Sequence, residues 1–123
     1  MKNIVIADDS MFMRQCLKCI LVKAGYNILG EAENGLIAVE MYKKFKPDLM
    51  TLDITMPELD GLGALKEIKG INKQARIVMC SSMGQQYHKE ESDKYGALDF
   101  IVKPFQSEDV LKVVEAALKK SID

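Results

Sequence analysis

Polar side chains stand at the ends of four apolar runs of the sequence, where they could do chemistry together. They are Asp8 and Asp9, Asp53, Ser81 and Lys103. Each follows a stretch rich in aliphatic residues, which is typical of a buried β-strand. Adjacent carboxylates such as Asp8 and Asp9 repel each other at a buried strand end unless a counter-charge neutralises them. These residues therefore indicate a charged site that needs a cationic partner.

Three carboxylates could converge at this site. If the strands that end near Asp9 and Asp53 are neighbours, they lie about 5 Å apart, and at least one carboxyl should have a raised pKa. Mg²⁺ would relieve the repulsion, because it prefers oxygen ligands and also binds phosphate oxygens. Lys103 as counter-charge and the Ser81 hydroxyl as donor would complete a phosphoryl pocket. A carboxylate left free to attack is a competent nucleophile for phosphorus.

Helix capping is the simpler explanation for a single acidic residue after a strand. Asp9 or Ser10 could cap the helix that follows them. Five polar groups at four strand ends are more than caps require, however, so the pattern favours a functional site.

Alternating strands and helices must position these residues. Apolar runs predict strands at 3–7, 26–32, 48–53, 76–81 and 99–102. Periodicity or composition predicts helices at 10–25, 35–45, 61–69, 85–95 and 107–120. Apolar strands that alternate with helices predict an α/β fold, with a parallel sheet covered on both faces. In such sheets ligands bind outside the carboxyl ends of the strands, where the polar residues lie.

Helical spacing also predicts which faces are buried. The inward face of the first helix should comprise Phe12, Cys16, Leu17, Ile20 and Leu21. That of the last helix should comprise Val110, Val114, Ala117 and Leu118. Gly25 should end the first helix, and Ser107 should cap the last. Segment 85–95 lacks such a face, because Glu91 lies between Tyr87 and Tyr95. We therefore expect this helix to pack weakly.

Composition excludes several functional classes. The chain has 123 residues, of which 48% are hydrophobic and 28% charged, and its net charge is −1. This balance predicts one globular domain over residues 1–123. It offers no basic field for nucleic acid. The sequence shows neither a signal peptide nor an apolar run long enough to span a bilayer, so we expect a cytoplasmic protein without membrane contact.

The cysteines predict neither a disulfide framework nor a metal site. They are Cys16, Cys19 and Cys80, an odd number in a chain without an export signal. Cys16 and Cys19 match a redox dithiol pattern, but they lie in the middle of a predicted helix, where we interpret them as small core residues. His88 is the single histidine, so zinc lacks ligands.

Five segments together resemble the response-regulator receiver domains of two-component signalling. They are IVIADDSMFMR, EAENGLIAVE, DLMTLDITMPELDG, RIVMCSSMGQQ and DFIVKPFQ. The resemblance covers essentially the whole chain and is closest to the stand-alone chemotaxis regulators. It implies a flavodoxin-like fold, with a five-stranded parallel sheet of order 2-1-3-4-5 flanked by five helices.

The resemblance also implies a role for each polar residue. Asp53 would be the phosphoacceptor, with Lys103 pairing with the phosphoryl oxygens. Mg²⁺ would be bound by Asp9, Asp53 and the backbone carbonyl of Thr55, and by Asp8 through water. Ser81 would move to meet the phosphoryl group, although Ser82 stands beside it where the family usually has alanine.

Further positions would serve switching and hydrolysis. Phe100 would be the aromatic switch residue, and the Lys103–Pro104 bond would be cis. Thr55 and Met83 would tune hydrolysis of the acyl phosphate. Because Met83 is apolar and does not position water, we expect no unusually fast self-hydrolysis.

The implied function is that of a monomeric signalling protein rather than an enzyme. A sensor histidine kinase would supply the phosphoryl group. The face formed by helix 4, strand 5 and helix 5 would then bind an output partner such as the flagellar motor switch. A phosphorelay intermediate or a regulator with a non-motor partner are alternatives.

Two other classes fit the sequence less well. Aspartyl-phosphate phosphatases normally show Asp-x-Asp after the first strand, whereas Asp8 and Asp9 are adjacent. A flavodoxin-like redox protein would need a phosphate-binding loop rich in Ser, Thr and Gly at the position of DDSMFM.

Overall fold

The computed structural model describes residues 1–82 and 88–122. Its strands within these ranges are β1 (Asn3–Ala7), β2 (Asn27–Ala32), β3 (Leu49–Asp53), β4 (Ile77–Ser82) and β5 (Asp99–Lys103). Its helices there are α1 (Met11–Lys23), α2 (Gly35–Phe45), α3 (Gly61–Ile71), α4 (His88–Lys94) and α5 (Ser107–Lys119). Across these described ranges, the prediction of strands alternating with helices is confirmed.

The strands form one parallel sheet in the order β2-β1-β3-β4-β5. This order confirms the one that the family resemblance implies. Every residue of the central strand β3 is buried, because helices cover both faces of the sheet. Val5 and Leu65 belong to the core on the α2–α3 side, whereas Ile6, Leu17 and Val114 belong to the core on the α1–α5 side.

Helix ends follow local sequence signals in α1. The Ser10 side chain accepts a hydrogen bond of 3.2 Å from the Met13 backbone N–H, so Ser10 is the cap that the sequence offered as one of two candidates. Gly25 follows the helix with φ +95°, a conformation that costs glycine least. The predicted end of the helix is therefore confirmed.

Two residues of α1 that were predicted to be buried are exposed: Phe12, expected on the inward face of the helix, and Cys19, expected to be a small core residue. Phe12 is 69% exposed, and Cys19 is exposed as well. Leu17 and Leu21 are buried one turn apart and define the inward direction of the helix. Phe12 is five residues before Leu17, so its side chain points about 140° away from that of Leu17 around the helix axis. Cys19 is two residues from each leucine, which places it on the opposite side of the helix from both. Cys16 remains half-buried.

Cys80 differs from these two cysteines in its surroundings. It is 2% exposed, and burial, followed by the charge of Asp53, raises the pKa of its thiol. A thiol that stays protonated in the core behaves as a small apolar group.

The predicted cap of α5 is wrong by one residue. Gln106 has the extended cap conformation, and its side chain makes no capping hydrogen bond. Ser107 is instead the first helical residue. Glu108 and Asp109 complement the helix dipole in the first turn. The inward face is confirmed: Val110, Val114 and Ala117 are buried, and Leu118 packs partly buried against the core.

Helix α4 has the weak apolar face that the sequence predicts. In the described part, His88–Lys94, the buried residue is Ser92, whose hydroxyl donates to the His88 carbonyl at 2.9 Å. Predicted residues 85–87, which include Tyr87, lie outside the described ranges. Among residues 1–82 and 88–122, no helix is long and apolar enough to cross a membrane.

Candidate functional site

The carboxyl ends of β1 and β3 bring the predicted acidic residues together. One carboxylate oxygen from each of Asp8, Asp9 and Asp53 lies within 4.8 Å of the other two. Asp8 and Asp53 are 3% and 5% exposed, whereas Asp9 is open to solvent. The convergence predicted from the strand ends is therefore confirmed.

Lys103 extends into this cluster from the end of β5. Its Nζ lies 2.7 Å from Asp8 Oδ2 and 3.3 Å from Asp53 Oδ1. Burial by itself lowers the pKa of Lys103, but the hydrogen bond to Asp8 and the charge of Asp53 outweigh it and raise the pKa. The ammonium group therefore stays charged. The Lys103–Pro104 bond is cis, as the resemblance implies.

Asp53 has the perturbed carboxyl group that the sequence predicts in this cluster. Its pKa rises from 3.8 to about 6. Burial is the main cause, and the charge of Asp8 adds to it, while Lys103 acts in the opposite direction. Like-charge repulsion, the only cause expected from the sequence, is thus second to desolvation.

Asp8 is held from several sides. Its backbone N–H donates to the Ala32 carbonyl at 2.9 Å, and its Oδ1 accepts from the Ser10 N–H at 2.9 Å. Its backbone carbonyl accepts from Arg14 Nη1 at 2.7 Å. These bonds, together with that to Lys103, fix both the backbone and the carboxylate of Asp8 at the end of β1.

The loop after β3 closes tightly over the backbone of Asp53. The Gly61 N–H donates to the Ile54 carbonyl at 2.8 Å. A Cβ at Gly61 would lie 2.1 Å from the Asp53 carbonyl oxygen, so glycine is required there. Within the loop, the Leu59 N–H bonds to the Pro57 carbonyl around Glu58, whose φ is +69°. The loop that follows Asp53 therefore contains a strained turn.

The remaining predicted residues lie around the cluster. Thr55 is exposed two residues after Asp53. Ser81 is fully buried at the end of β4, and its hydroxyl donates to the Ser82 carbonyl at 3.2 Å. Phe100 is half-buried and packs against the core on the α2–α3 side. Met83 lies outside the described residues.

The residues present fit a hard divalent cation. The donor set is made of carboxylate oxygens, Asp9 faces solvent beside the two buried acids, and the buried pair carries more negative charge than Lys103 alone balances. Asp8, Asp9 and Asp53 are therefore the candidate ligands for such an ion.

Sequence reasoning missed Arg14 as part of the site. Its side chain is 11% exposed, and its guanidinium reaches the Asp8 carbonyl from the end of the first turn of α1. The available signal was an arginine within the motif IVIADDSMFMR, close after the acidic pair.

Known proteins of one family resemble the chain over nearly its full length. The family described as the response regulator receiver domain matches residues 4–115. The chemotaxis protein CheY of Bacillus subtilis is 57% identical, over 94% of this chain and 97% of that protein. CheY of Thermotoga maritima is 55% identical, over 98% of each chain.

A solved structure also matches closely. It is the CheX-CheY-BeF3-Mg²⁺ complex from Borrelia burgdorferi, with a TM-score of 0.92 and 38% identity. The match covers 97% of this chain and 90% of that one. Since sequence and fold agree over this extent, the protein belongs to the response regulator receiver domain family.

Proposed function

We propose that residues 1–123 form one receiver domain that accepts a phosphoryl group on Asp53 from a phosphohistidine of a sensor kinase. The observation that carries this proposal is the buried Asp53 carboxylate, with Lys103 Nζ at 3.3 Å and two further acids beside it. This arrangement offers a nucleophile, a cation for the phosphoryl oxygens and oxygen ligands for Mg²⁺.

The chemistry follows from what the side chains can do. A carboxylate oxygen of Asp53 attacks phosphorus in line, the bond from phosphorus to the histidine nitrogen breaks, and the electron pair stays on the imidazole. Lys103, now bound mainly to Asp8, donates to the phosphoryl oxygens. Bound Mg²⁺ would supply charge stabilisation of those oxygens. The attacking carboxylate must be ionised, so its pKa of about 6 leaves it competent at neutral pH.

The proposed output is a change at the face formed by α4, β5 and α5. A phosphoryl group on Asp53 attracts the Ser81 hydroxyl, and Phe100 turns inward, which biases a two-state equilibrium. The relatives are chemotaxis proteins, and one solved neighbour is in complex with CheX. These similarities support an output partner in chemotaxis, with the flagellar motor switch as the first candidate.

Two other readings of the output remain testable alternatives: a phosphorelay intermediate and a regulator of a non-motor partner. In either alternative the protein is a signalling domain whose only reaction besides phosphoryl acceptance is its own slow dephosphorylation. It would act as a monomer in the cytoplasm. Binding of the phosphorylated form, but not of the unmodified form, to a flagellar switch peptide would support the motor role. Equal binding of both forms would contradict it.

Intact-mass spectrometry tests the phosphoacceptor function. The protein is incubated with acetyl phosphate and Mg²⁺, and a parallel sample contains EDTA. We expect the mass of one phosphoryl group to be added with Mg²⁺ but not with EDTA. Asp53→Asn should abolish the gain, whereas Asp48→Asn, just before the opposite end of the same strand, should keep it. An unmodified wild-type mass in Mg²⁺ would contradict the proposal.

A further inference from the structure

Arg14 connects the acidic cluster to the neighbouring strand. Its Nη1 donates to the backbone carbonyl of Asp8 at 2.7 Å. Its Nε donates to Glu31 Oε1, on β2, at 3.0 Å. The guanidinium therefore uses two of its nitrogens at once, one toward the end of β1 and one toward β2. A planar guanidinium with fixed donor directions suits such a bridge, whereas an ammonium does not.

The carbonyl that Arg14 holds belongs to the peptide that joins Asp8 to Asp9. Fixing this peptide plane fixes the direction in which the chain presents Asp9. Asp9 is itself exposed, so solvent rather than packing surrounds its side chain. The backbone is therefore the main restraint on where its carboxylate lies relative to Asp53.

Glu31 sets the orientation of Arg14 in turn. Glu31 is 24% exposed and also lies 3.4 Å from Lys18 Nζ. Lys18 is 42% exposed and lies one turn further along α1. It thus shares the Glu31 partner of Arg14 but is not bonded to Asp8.

We propose that Arg14, oriented by Glu31, is a positioning residue for the cation site, because it holds the Asp8–Asp9 peptide in the conformation that lets Asp9 and Asp53 bind one divalent ion. This inference rests on the proposed function. Arg14 touches no reacting atom and acts through the backbone alone.

Electrostatics and positioning predict opposite results when Arg14 is removed. Deleting a positive charge beside an acidic cluster strengthens the attraction of that cluster for a cation. Releasing the Asp8–Asp9 peptide weakens cation binding instead, because the ligands are no longer preorganised. The sign of the change in Mg²⁺ affinity therefore distinguishes the two.

The test measures Mg²⁺ binding to the unphosphorylated protein by titration of backbone amide shifts. We expect Arg14→Met to raise the Kd for Mg²⁺ about tenfold. Arg14→Lys keeps the positive charge but loses the planar guanidinium that bonds to Asp8 and Glu31 at once, so it should also weaken Mg²⁺ binding. Lys18→Met is the matched control on the same helix face and should leave the Kd within about twofold of wild type, as a screened surface charge does.

A second readout separates positioning from a purely structural role. Urea unfolding with and without saturating Mg²⁺ gives the stabilisation that the ion adds, which depends on its Kd and not on the intrinsic stability of the variant. A tenfold weaker Kd lowers this increment by about 1.4 kcal/mol. If Arg14→Met does not fold, Glu31→Gln provides the same comparison, with a smaller loss expected.

Each outcome decides the matter. Weaker Mg²⁺ binding in Arg14→Met and Arg14→Lys, with Lys18→Met unchanged, supports the inference. Unchanged or tighter binding in Arg14→Met overturns it, even if that variant is less stable. Failure of the wild type itself to bind Mg²⁺ would instead overturn the proposed function.

Discussion

Asp53 combines two properties that oppose each other in a folded protein. It is almost fully buried, yet its proposed reaction requires the ionised carboxylate. Lys103 compensates only in part, since it binds Asp8 at 2.7 Å and Asp53 at 3.3 Å. The site therefore carries an unbalanced buried charge, which costs stability and at the same time creates affinity for a cation.

This charge predicts a pH dependence of stability in metal-free protein. The pKa of Asp53 is raised from 3.8 to about 6, so between these values the folded state holds a proton that the unfolded chain has lost. The contribution of Asp53 to the free energy of unfolding therefore falls as pH rises through this interval and is constant above it. The total is at most about 3 kcal/mol, because solvent at the open side of the site screens part of the effect.

Asp53→Asn removes this penalty. In EDTA we expect the variant to be more stable than wild type near neutral pH, by up to about 3 kcal/mol, and to match it near pH 4. Urea unfolding at several pH values measures the difference. A difference that does not change between about pH 4 and 7 would contradict the raised pKa.

Thr51 predicts a second residue-level effect, unrelated to metal binding. Its hydroxyl is buried and, within the described part of the chain, has no hydrogen-bond partner. Its neighbours in the sheet are Ile6 and Val78. Thr51→Val keeps the shape and removes the unsatisfied group, so the free energy of unfolding should rise by about 1–2 kcal/mol. Thr51→Ala also leaves a cavity, so its free energy of unfolding should rise less. Urea unfolding measures both variants, and a lower free energy of unfolding for Thr51→Val than for wild type would contradict the prediction.

At the scale of elements, the residues that end α2 and α5 adopt different backbone conformations, one of which is unfavourable for a residue with a side chain. Lys46 ends α2 with φ +44°, in the left-handed region, whereas Lys120 ends α5 with φ −70°. Lys46→Gly should therefore raise the free energy of unfolding by roughly 0.5–1 kcal/mol. Lys120→Gly is the control and should give no gain. Equal effects of the two substitutions in urea unfolding would count against the interpretation.

Helix α4, in its described part His88–Lys94, has a weak apolar attachment to the core. Its buried residue is Ser92, and Lys89, Glu90 and Glu91 are exposed. We expect fast amide hydrogen exchange over His88–Lys94 compared with α1, whose Leu17 and Leu21 are buried in the core. Protection of α4 as strong as that of α1 would show that the helix is firmly packed. A loosely held helix at the proposed output face suits a segment that changes on phosphorylation.

For the whole molecule, the sequence predicted the layered sheet and the meeting of the acidic residues. The reason is that β1 and β3 are mostly apolar and almost entirely buried, and parallel strands present their carboxyl ends at one edge. The family resemblance supplied the strand order, which apolar runs alone leave open. Within the described residues, element bounds differ from those predicted by two residues at most, and those of β1 and α2 agree.

The contacts that cross between elements were not predictable from the sequence. Arg14 reaches the Asp8 carbonyl, and Lys103 bonds more closely to Asp8 than to Asp53. Both depend on side-chain directions that only the packed structure defines. The exposed position of Phe12 was missed because an apolar residue was assumed to face the core, although roughly half of a protein surface is apolar.

Location of the phosphoryl group on the chain tests the central claim most directly. After reaction with acetyl phosphate and Mg²⁺, borohydride reduces an aspartyl phosphate to homoserine, which peptide mass mapping places at one residue. We predict homoserine at position 53 and unmodified aspartate at positions 8 and 9. Homoserine at position 8 or 9 would contradict the account. The absence of homoserine from all three positions would contradict it as well.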